Sequence, residues 1–156
     1  MKQILLMIAV VALVGCGKKE PAQPSVSNST TSSGFEETKA KAEAGNVDAQ
    51  YNLGEMYRKG EGVEQDFKEV VKWYQKAAGQ GNAPAQSNLG VMYYNGKGVP
   101  QDYMTAYVWY NIAAAKGDQD AKNTKSEVAK KMTPAQIAKA GELVKEMIKK
   151  NPKLLK

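Results

Sequence analysis

Apolar residues recur in residues 46–81 with the spacing of two amphipathic helices. The first stripe has steps of four, three and one residue: Ala49, Leu53, Met56 and Tyr57. The second stripe has steps of three, four and one residue: Val70, Trp73, Ala77 and Ala78. Side chains at these spacings share one face of a helix. The segment is therefore predicted to form two helices that pack through their apolar faces.

The residues between the two stripes have the side chains that end one helix and begin the next. Gly60 is predicted to adopt the left-handed conformation that closes a helix, and Gly62 to let the chain turn back. Asp66 is predicted to be the N-cap of the second helix, and Glu69, three residues later, to complete a capping box. The whole unit is expected to be a helix, a turn and a helix.

The unit occurs twice. Residues 82–117 repeat residues 46–81 without a gap, and 18 of the 36 aligned positions are identical. A period in the thirties is typical of stacked repeat units that cannot bury their apolar faces alone. The shared residues include Asn46/Asn82, Leu53/Leu89, Gly54/Gly90, Tyr57/Tyr93, Gly60/Gly96, Gly62/Gly98, Asp66/Asp102, Trp73/Trp109 and Tyr74/Tyr110.

This pattern resembles the Sel1-like repeat, a relative of the tetratricopeptide repeat. The resemblance implies an all-α fold, a short α-solenoid of helix-turn-helix repeats. We expect residues 35–118 to hold two full repeats and one partial N-terminal repeat, because Ala42, Gly45 and Asn46 match Ala78, Gly81 and Asn82. Residues 119–156 lose the pattern and are expected to form a lysine-rich capping pair of helices, the last with Thr133 as N-cap and Pro134 as first residue.

The N-terminus has the pattern of an export signal. Ile4 to Val14 form an apolar run of eleven residues, too short to span a bilayer, which takes about 20. Residues 1–15 are therefore predicted to be a signal peptide. The segment Leu13-Val14-Gly15-Cys16 resembles the lipobox of bacterial lipoproteins, which implies cleavage before Cys16 and lipid attachment to it. An ordinary thiol near a signal cleavage site is the alternative.

The resemblance to lipoproteins also implies a location. We expect the protein to be lipid-anchored in the bacterial cell envelope, at the outer membrane facing the periplasm. Residues 16–34 are expected to be the lipidated cysteine and a disordered linker, since Val26 is the single aliphatic side chain larger than alanine between residues 17 and 34.

Composition argues against several kinds of chemistry. The chain has no histidine and one cysteine, so it cannot form a Ser-His-Asp or Cys-His site or an internal disulfide. Asp118, Asp120 and Asn123 are spaced somewhat like a calcium loop, but the required glycine is missing and a helix N-terminus is preferred. We expect no catalytic residues, no metal and no cofactor. A cell-wall-associated enzyme remains the alternative, through acids such as Glu61, Glu64 and Asp66.

Positive charge is concentrated at the C-terminal end. Ten lysines and four acids give residues 119–156 a sum of +6, equal to the net charge of the whole chain. This end could contact an anionic envelope polymer through Lys145, Lys149 and Lys150, or it could be a solvated helix face. Nucleic acid is not an expected partner, because Arg58 is the one arginine among 22 cationic residues.

Positions that differ between the two repeats are the best candidates for binding. Residues identical in both are needed to build a unit, whereas differing residues are free for other uses. Six of them lie on the outer face of the first helix of each unit: Tyr51, Glu55, Arg58, Ser87, Val91 and Tyr94. We call these six residues the predicted groove, since first helices line the concave side of such solenoids. They predict an adaptor or scaffold that binds a protein or peptide partner. Mere exposure to solvent is the alternative.

Overall fold

The computed structural model describes residues 29–156, and this part of the chain is built from helices without a strand. The helices are α1 (Ser29–Glu43), α2 (Val47–Lys59), α3 (Phe67–Gly79), α4 (Ala83–Asn95), α5 (Tyr103–Ala115), α6 (Gln119–Ala129) and α7 (Pro134–Lys150). A short 3₁₀ turn, Pro152–Leu155, follows α7. From α1 to α6 each helix packs on the next one along the chain. The predicted all-α solenoid is confirmed.

The repeat is visible in the backbone at the start of each unit. Asn46, Asn82 and Asp118 are spaced 36 residues apart and are the N-caps of α2, α4 and α6. Each side chain accepts a hydrogen bond from the backbone amide three residues later, at 2.8 to 2.9 Å. The glycine before each cap has a φ of 94°, a conformation that favours glycine. A third unit therefore begins at Asp118 in the register of the first two.

The turn between paired helices also follows the prediction, with one exception. Gly60 and Gly96 close α2 and α4 in the left-handed conformation, with φ of 74° and 67°. Asp66 caps α3 by accepting from the amides of Lys68 and Glu69. The predicted capping box at this site was wrong, because Glu69 does not bond back to the cap. Its carboxylate accepts instead from Lys72 and from the indole nitrogen of Trp73.

A tyrosine from the second helix of each unit fits against a glycine on the first helix. A Cβ atom built on Gly54 would lie 2.7 Å from the ring of Tyr74, and one built on Gly90 would lie 2.8 Å from the ring of Tyr110. Real Cβ atoms do not approach other atoms this closely, so each position needs a residue without a side chain. Both tyrosines are buried, which explains why the glycine and tyrosine are shared by the two units.

The C-terminal helices close the solenoid in two different ways. α6 packs on α5 as the first helix of a third unit. α7 begins with a full capping box between Thr133 and Gln136, as expected for its N-cap, and it packs chiefly on α5. The 3₁₀ turn then reaches α3, where Asn151 donates to the carbonyl of Gly79 at 2.6 Å. Leu154 in this turn is buried in a core formed with α5 and α7.

The N-terminal predictions fall largely outside the described residues. The signal peptide of residues 1–15, Cys16 and most of the predicted linker lie there. Residues 29–34, the end of that predicted linker, belong to α1, and Phe35 on this helix is buried against α2. None of the helices described combines the length and the apolar character that crossing a membrane requires.

Candidate partner-binding face

The predicted groove lies on α2 and α4, the first helices of the two full units. Hydrogen bonds link these helices to each other and to the third unit. The Asn88 amide donates to Glu55 across the two units at 3.5 Å, and the hydroxyl of Ser87 donates to Asp118 at the start of α6. The three groove residues of α2 (Tyr51, Glu55 and Arg58) and the three of α4 (Ser87, Val91 and Tyr94) therefore lie on neighbouring helices.

Glu55 is the centre of the α2 half of this face. Its carboxylate accepts from the Arg58 guanidinium, with the closest approach at 2.6 Å, and from the hydroxyl of Tyr74. Burial opposes ionisation of Glu55, but the hydrogen bonds from Arg58 and Tyr74 outweigh it and hold its pKa below the ordinary value. The same contact and the burial of Tyr74 raise the pKa of that hydroxyl. Glu55 is thus a fixed anion with most of its acceptor sites filled.

Tyr51 and Tyr94 are less free than the sequence suggested. The ring of Tyr51 stacks on that of Tyr74, with centroids 5.7 Å apart and an interplanar angle of 21°. The ring centroids of Tyr94 and Tyr103 are 5.4 Å apart. Both tyrosines are half-buried, and burial raises the pKa of Tyr51. Each ring therefore helps to hold the paired helices of its unit together.

Arg58 and Val91 are the most accessible members of the predicted groove. The Arg58 side chain is 44% exposed, although it is paired with Glu55. Val91 is 41% exposed, and it occupies in the second unit the position that Glu55 occupies in the first. The face therefore changes along the solenoid from an ion pair on α2 to an apolar side chain on α4.

This exchange leaves the second unit without the polar contact that marks the first. Tyr110 corresponds to Tyr74, but among residues 29–156 it has no bond to a carboxylate like that of Tyr74 to Glu55, because Val91 occupies the position of Glu55. Burial, and to a lesser extent the nearby Tyr94, raise the pKa of Tyr110 to about 12. The hydroxyl stays neutral across the physiological range.

Three further residues shape the face and do not stand out in the sequence: Tyr74, Asn88 and Asp118. Tyr74 and Asn88 are identical in both repeats, so the repeat pattern predicts a role in building the unit. Asp118 is predicted to lie at a helix N-terminus, and it is the N-cap of α6. The signal that could have found Tyr74 is the exchange of Glu55 for Val91 on the first helix while the tyrosine of the second helix stays the same in both units.

A second polar feature lies in the interior, between successive units. Gln50 is buried and donates to the carbonyl of Ala42 at 3.1 Å, while it accepts from Gln80 at 2.8 Å. The equivalent Gln86 is fully buried and donates to Ala78 and to Leu154. Within the described part of the chain its Oε1 atom has no hydrogen-bond partner, because the residue equivalent to Gln80 is Lys116, whose ammonium donates to the carbonyl of Gly81. These contacts join units and do not form a surface site.

The acidic residues that could have suggested catalysis are spread over exposed turns. Glu61 and Glu64 are exposed between α2 and α3, and Asp66 is an exposed helix cap. Glycosidic hydrolysis would need a carboxyl group with a raised pKa inside a cleft. Within residues 29–156, no group of three or more acidic or sulfur side chains is arranged to hold a metal ion.

The lysine-rich end is exposed and only partly neutralised. Lys145 pairs with Glu142 at 3.4 Å and Lys150 with Glu146 at 2.6 Å, both on the surface of α7. Lys149 is exposed on the same helix. Exposed ion pairs of this kind contribute little stability, so these lysines remain accessible to an anionic surface.

Comparison with known proteins identifies the repeat. The family model of the Sel1 repeat matches residues 47–82 and 83–118, the two units whose helices, caps and glycines are described above. The chain therefore contains two Sel1 repeats. Proteins built from Sel1 repeats generally mediate protein–protein interactions, and their fold is typically a non-enzymatic scaffold. No curated protein matches the chain at a significant level.

Two solved structures are similar to this Sel1 repeat chain. A protective antigen present in uropathogenic Escherichia coli strains, which displays an SLR fold, is 32% identical with a TM-score of 0.76. A Sel1 repeat protein from Oxalobacter formigenes is 37% identical with a TM-score of 0.58. The matched regions cover 83% and 60% of this chain, but 28% and 39% of those proteins. The chain thus spans less than half the length of either relative.

Proposed function

We propose that the protein is a lipid-anchored adaptor of the bacterial cell envelope, which binds a protein or peptide partner on the predicted groove. The observation that carries this proposal is the pairing of two units, identical at 18 of 36 positions, with an outer face that differs between them. The scaffold residues repeat, whereas Glu55 is exchanged for Val91 and Arg58 for Tyr94. Such a face has a fixed charge, an exposed apolar side chain and tyrosine hydroxyls, which is the mixture typical of protein recognition.

The proposed anchor rests on the sequence of the N-terminus. The apolar run followed by Leu13-Val14-Gly15-Cys16 supports a lipidated Cys16, and attachment through more than one acyl chain gives stable membrane binding. Gly17 follows the cysteine where an aspartate often marks inner-membrane retention in lipoproteins, which favours the outer membrane. Incorporation of an alkyne-tagged fatty acid tests this step. The native chain is expected to be labelled and C16S unlabelled, and labelling of C16S would contradict the anchor.

In-cell crosslinking tests the binding face. The full chain is crosslinked in living cells and purified, and the partner is identified and its yield measured for R58Q/V91N and for native protein. Both substituted side chains are exposed, so the fold is expected to survive. We expect the partner to be lost from this variant by about tenfold, because hot-spot contacts each contribute more than about 1 kcal/mol. An unchanged yield would contradict the proposed face.

A contact with anionic envelope polymer is the second candidate, favoured by the exposed lysines of α7. The variant K145Q/K149Q/K150Q separates the two functions. Retention of the protein partner is expected if the predicted groove binds it. If this lysine variant loses the partner, binding to an anionic polymer is favoured. The same holds if the variant, made in a chain that lacks the lipid, no longer associates with the envelope.

A further inference from the structure

Tyrosines and lysines lie together where α4 ends, α5 begins and α6 ends. The ring of Tyr94 packs on Tyr103. The ammonium of Lys131 lies 5.8 Å from the centre of the Tyr103 ring, and that of Lys125 lies 6.0 Å from the centre of the Tyr107 ring. We call these five residues the tyrosine–lysine surface. It adjoins the predicted groove through Tyr94, and it includes residues of α5 and α6, two helices that the groove does not include.

The two lysines of this surface are available to bind an anion. Neither has a carboxylate within ion-pair distance among the described residues, whereas neighbouring Lys130 pairs with Glu127 at 2.7 Å. Lys131 is exposed and Lys125 half-exposed. Contact with a ring face restrains an ammonium group, which lowers the entropy lost when it binds a carboxylate.

The arrangement disfavours ligands that bind by stacking. A sugar or a nucleobase needs an open aromatic face, but lysines lie over the faces of Tyr103 and Tyr107, and Tyr94 packs against Tyr103. The groups that remain open are ammonium protons and ring edges. The surface is therefore suited to carboxylates rather than to planar rings.

An apolar contact lies next to these cations. Val91 is 41% exposed and precedes Tyr94 by one turn of α4. The helix carries no charged residue from Ala83 to Asn95. A highly charged polymer would gain no binding energy from this uncharged stretch of α4. A peptide with an aliphatic side chain next to its acidic residues would bury that side chain against Val91.

The spacing of the rings suits an extended chain. Tyr103 and Tyr107 are separated by one turn of α5, which places their side chains about 5 to 6 Å apart. In an extended peptide, side chains two residues apart lie on the same side at about 6.6 Å. We propose that the tyrosine–lysine surface and Val91 bind an extended acidic peptide segment of the partner protein. This segment has two carboxylates at alternate positions, followed by an aliphatic residue. The inference rests on the proposed function.

Fluorescence anisotropy with a labelled synthetic peptide tests this proposal. The probe contains Glu-Ser-Glu-Ser-Val, and the control probe has glutamine in place of both glutamates. The native chain is expected to bind the acidic probe at least about tenfold more tightly than the control, with an affinity that falls as salt is added. K125Q/K131Q and V91E should each weaken binding of the acidic probe by about tenfold or more, while thermal melting shows that both variants remain folded.

A matched variant controls for total charge. K68Q/K139Q removes two exposed lysines, one on α3 and one on α7, and should bind the acidic probe as the native chain does. Equal binding of the two probes, or equal weakening by K68Q/K139Q, would overturn the proposal. So would binding to phosphatidylglycerol vesicles that depends on Lys125 and Lys131 when the peptide does not bind. If the cellular partner is lost from R58Q/V91N but kept by K125Q/K131Q, the proposed function stands and this inference is wrong.

Discussion

Gly54 and Gly90 show how a single residue sets the distance between two helices. Each lies against the ring of a buried tyrosine, at a separation that leaves no room for a Cβ atom. The ring in turn brings a hydroxyl to the outer face of the unit, where Tyr74 donates to Glu55. The same small residue therefore determines both the packing of a unit and the position of a group on its binding face.

The variant G54A tests this close approach. A methyl group at Gly54 would overlap the Tyr74 ring, so the free energy of unfolding is expected to fall by about 1 to 3 kcal/mol. Gly141 on α7 provides the control, because nothing lies within 4 Å of a Cβ atom there, and G141A should stabilise the chain by up to about 1 kcal/mol. Urea unfolding measures both. A G54A variant as stable as G141A would contradict the packing described.

A second residue-scale prediction concerns Glu55 and pH. Hydrogen bonds from Arg58 and Tyr74 lower its pKa in the folded chain, so its contribution to stability is present above the ordinary pKa of 4.5 and is lost as the pH falls through the folded value. At pH 7, E55Q is expected to unfold about 1 kcal/mol more easily than the native chain. At pH 3 the difference should shrink. Chemical denaturation at both pH values measures it, and a constant difference would show that the charge of Glu55 contributes nothing.

The elements of the two full repeats could be predicted closely, because each has its own local signals. Asp66 and Asp102 cap the second helices and Thr133 caps the last one, as their neighbours in the sequence indicated. The course of the C-terminus could not be predicted, since it depends on contacts far apart in the sequence. Nothing near Asn151 or Leu154 shows that they meet Gly79 and Gln86, about half the chain away.

The site was less predictable than the fold for a related reason. Comparison of the repeats shows which positions vary, and it found the six residues of the predicted groove. It does not show which of them are occupied by contacts within the chain. Tyr51 stacks on Tyr74, and Ser87 donates to Asp118. The accessible part of the face is therefore smaller than the six residues of the predicted groove, and it centres on Arg58 and Val91.

The 3₁₀ turn after α7 is expected to hold the end of the chain on the solenoid. Leu154 is 2% exposed, whereas its neighbour Leu155 is 42% exposed. The substitution L154A removes a buried side chain next to the bond from Gln86, so it should cost about 2 to 5 kcal/mol. The matched variant L155A should change stability by no more than about 0.5 kcal/mol. Similar melting temperatures for the two variants would contradict the docking of this turn.

In the described part of the molecule each helix from α1 to α6 packs on the next, α7 packs chiefly on α5, and hydrogen bonds link the first helices of successive units. Asn88 bonds to Glu55 on the previous unit and Ser87 to Asp118 on the following one, so a partner bound on this side would contact three units at once. The charge differs along the chain, with a sum of −2 in residues 36–118 and +6 in residues 119–156. The repeats thus carry a small net negative charge, whereas the C-terminal end is cationic.

Hydrogen–deuterium exchange of the full chain with its crosslinking-identified partner tests most directly whether the first helices recognise that partner. We expect slower exchange on binding in α2 and α4, residues 47–59 and 83–95, because a bound partner shields these helices and stabilises them against local opening. Exchange in α3 and α7 should be unchanged. Protection confined to residues 134–156, with none in α2 and α4, would contradict the account.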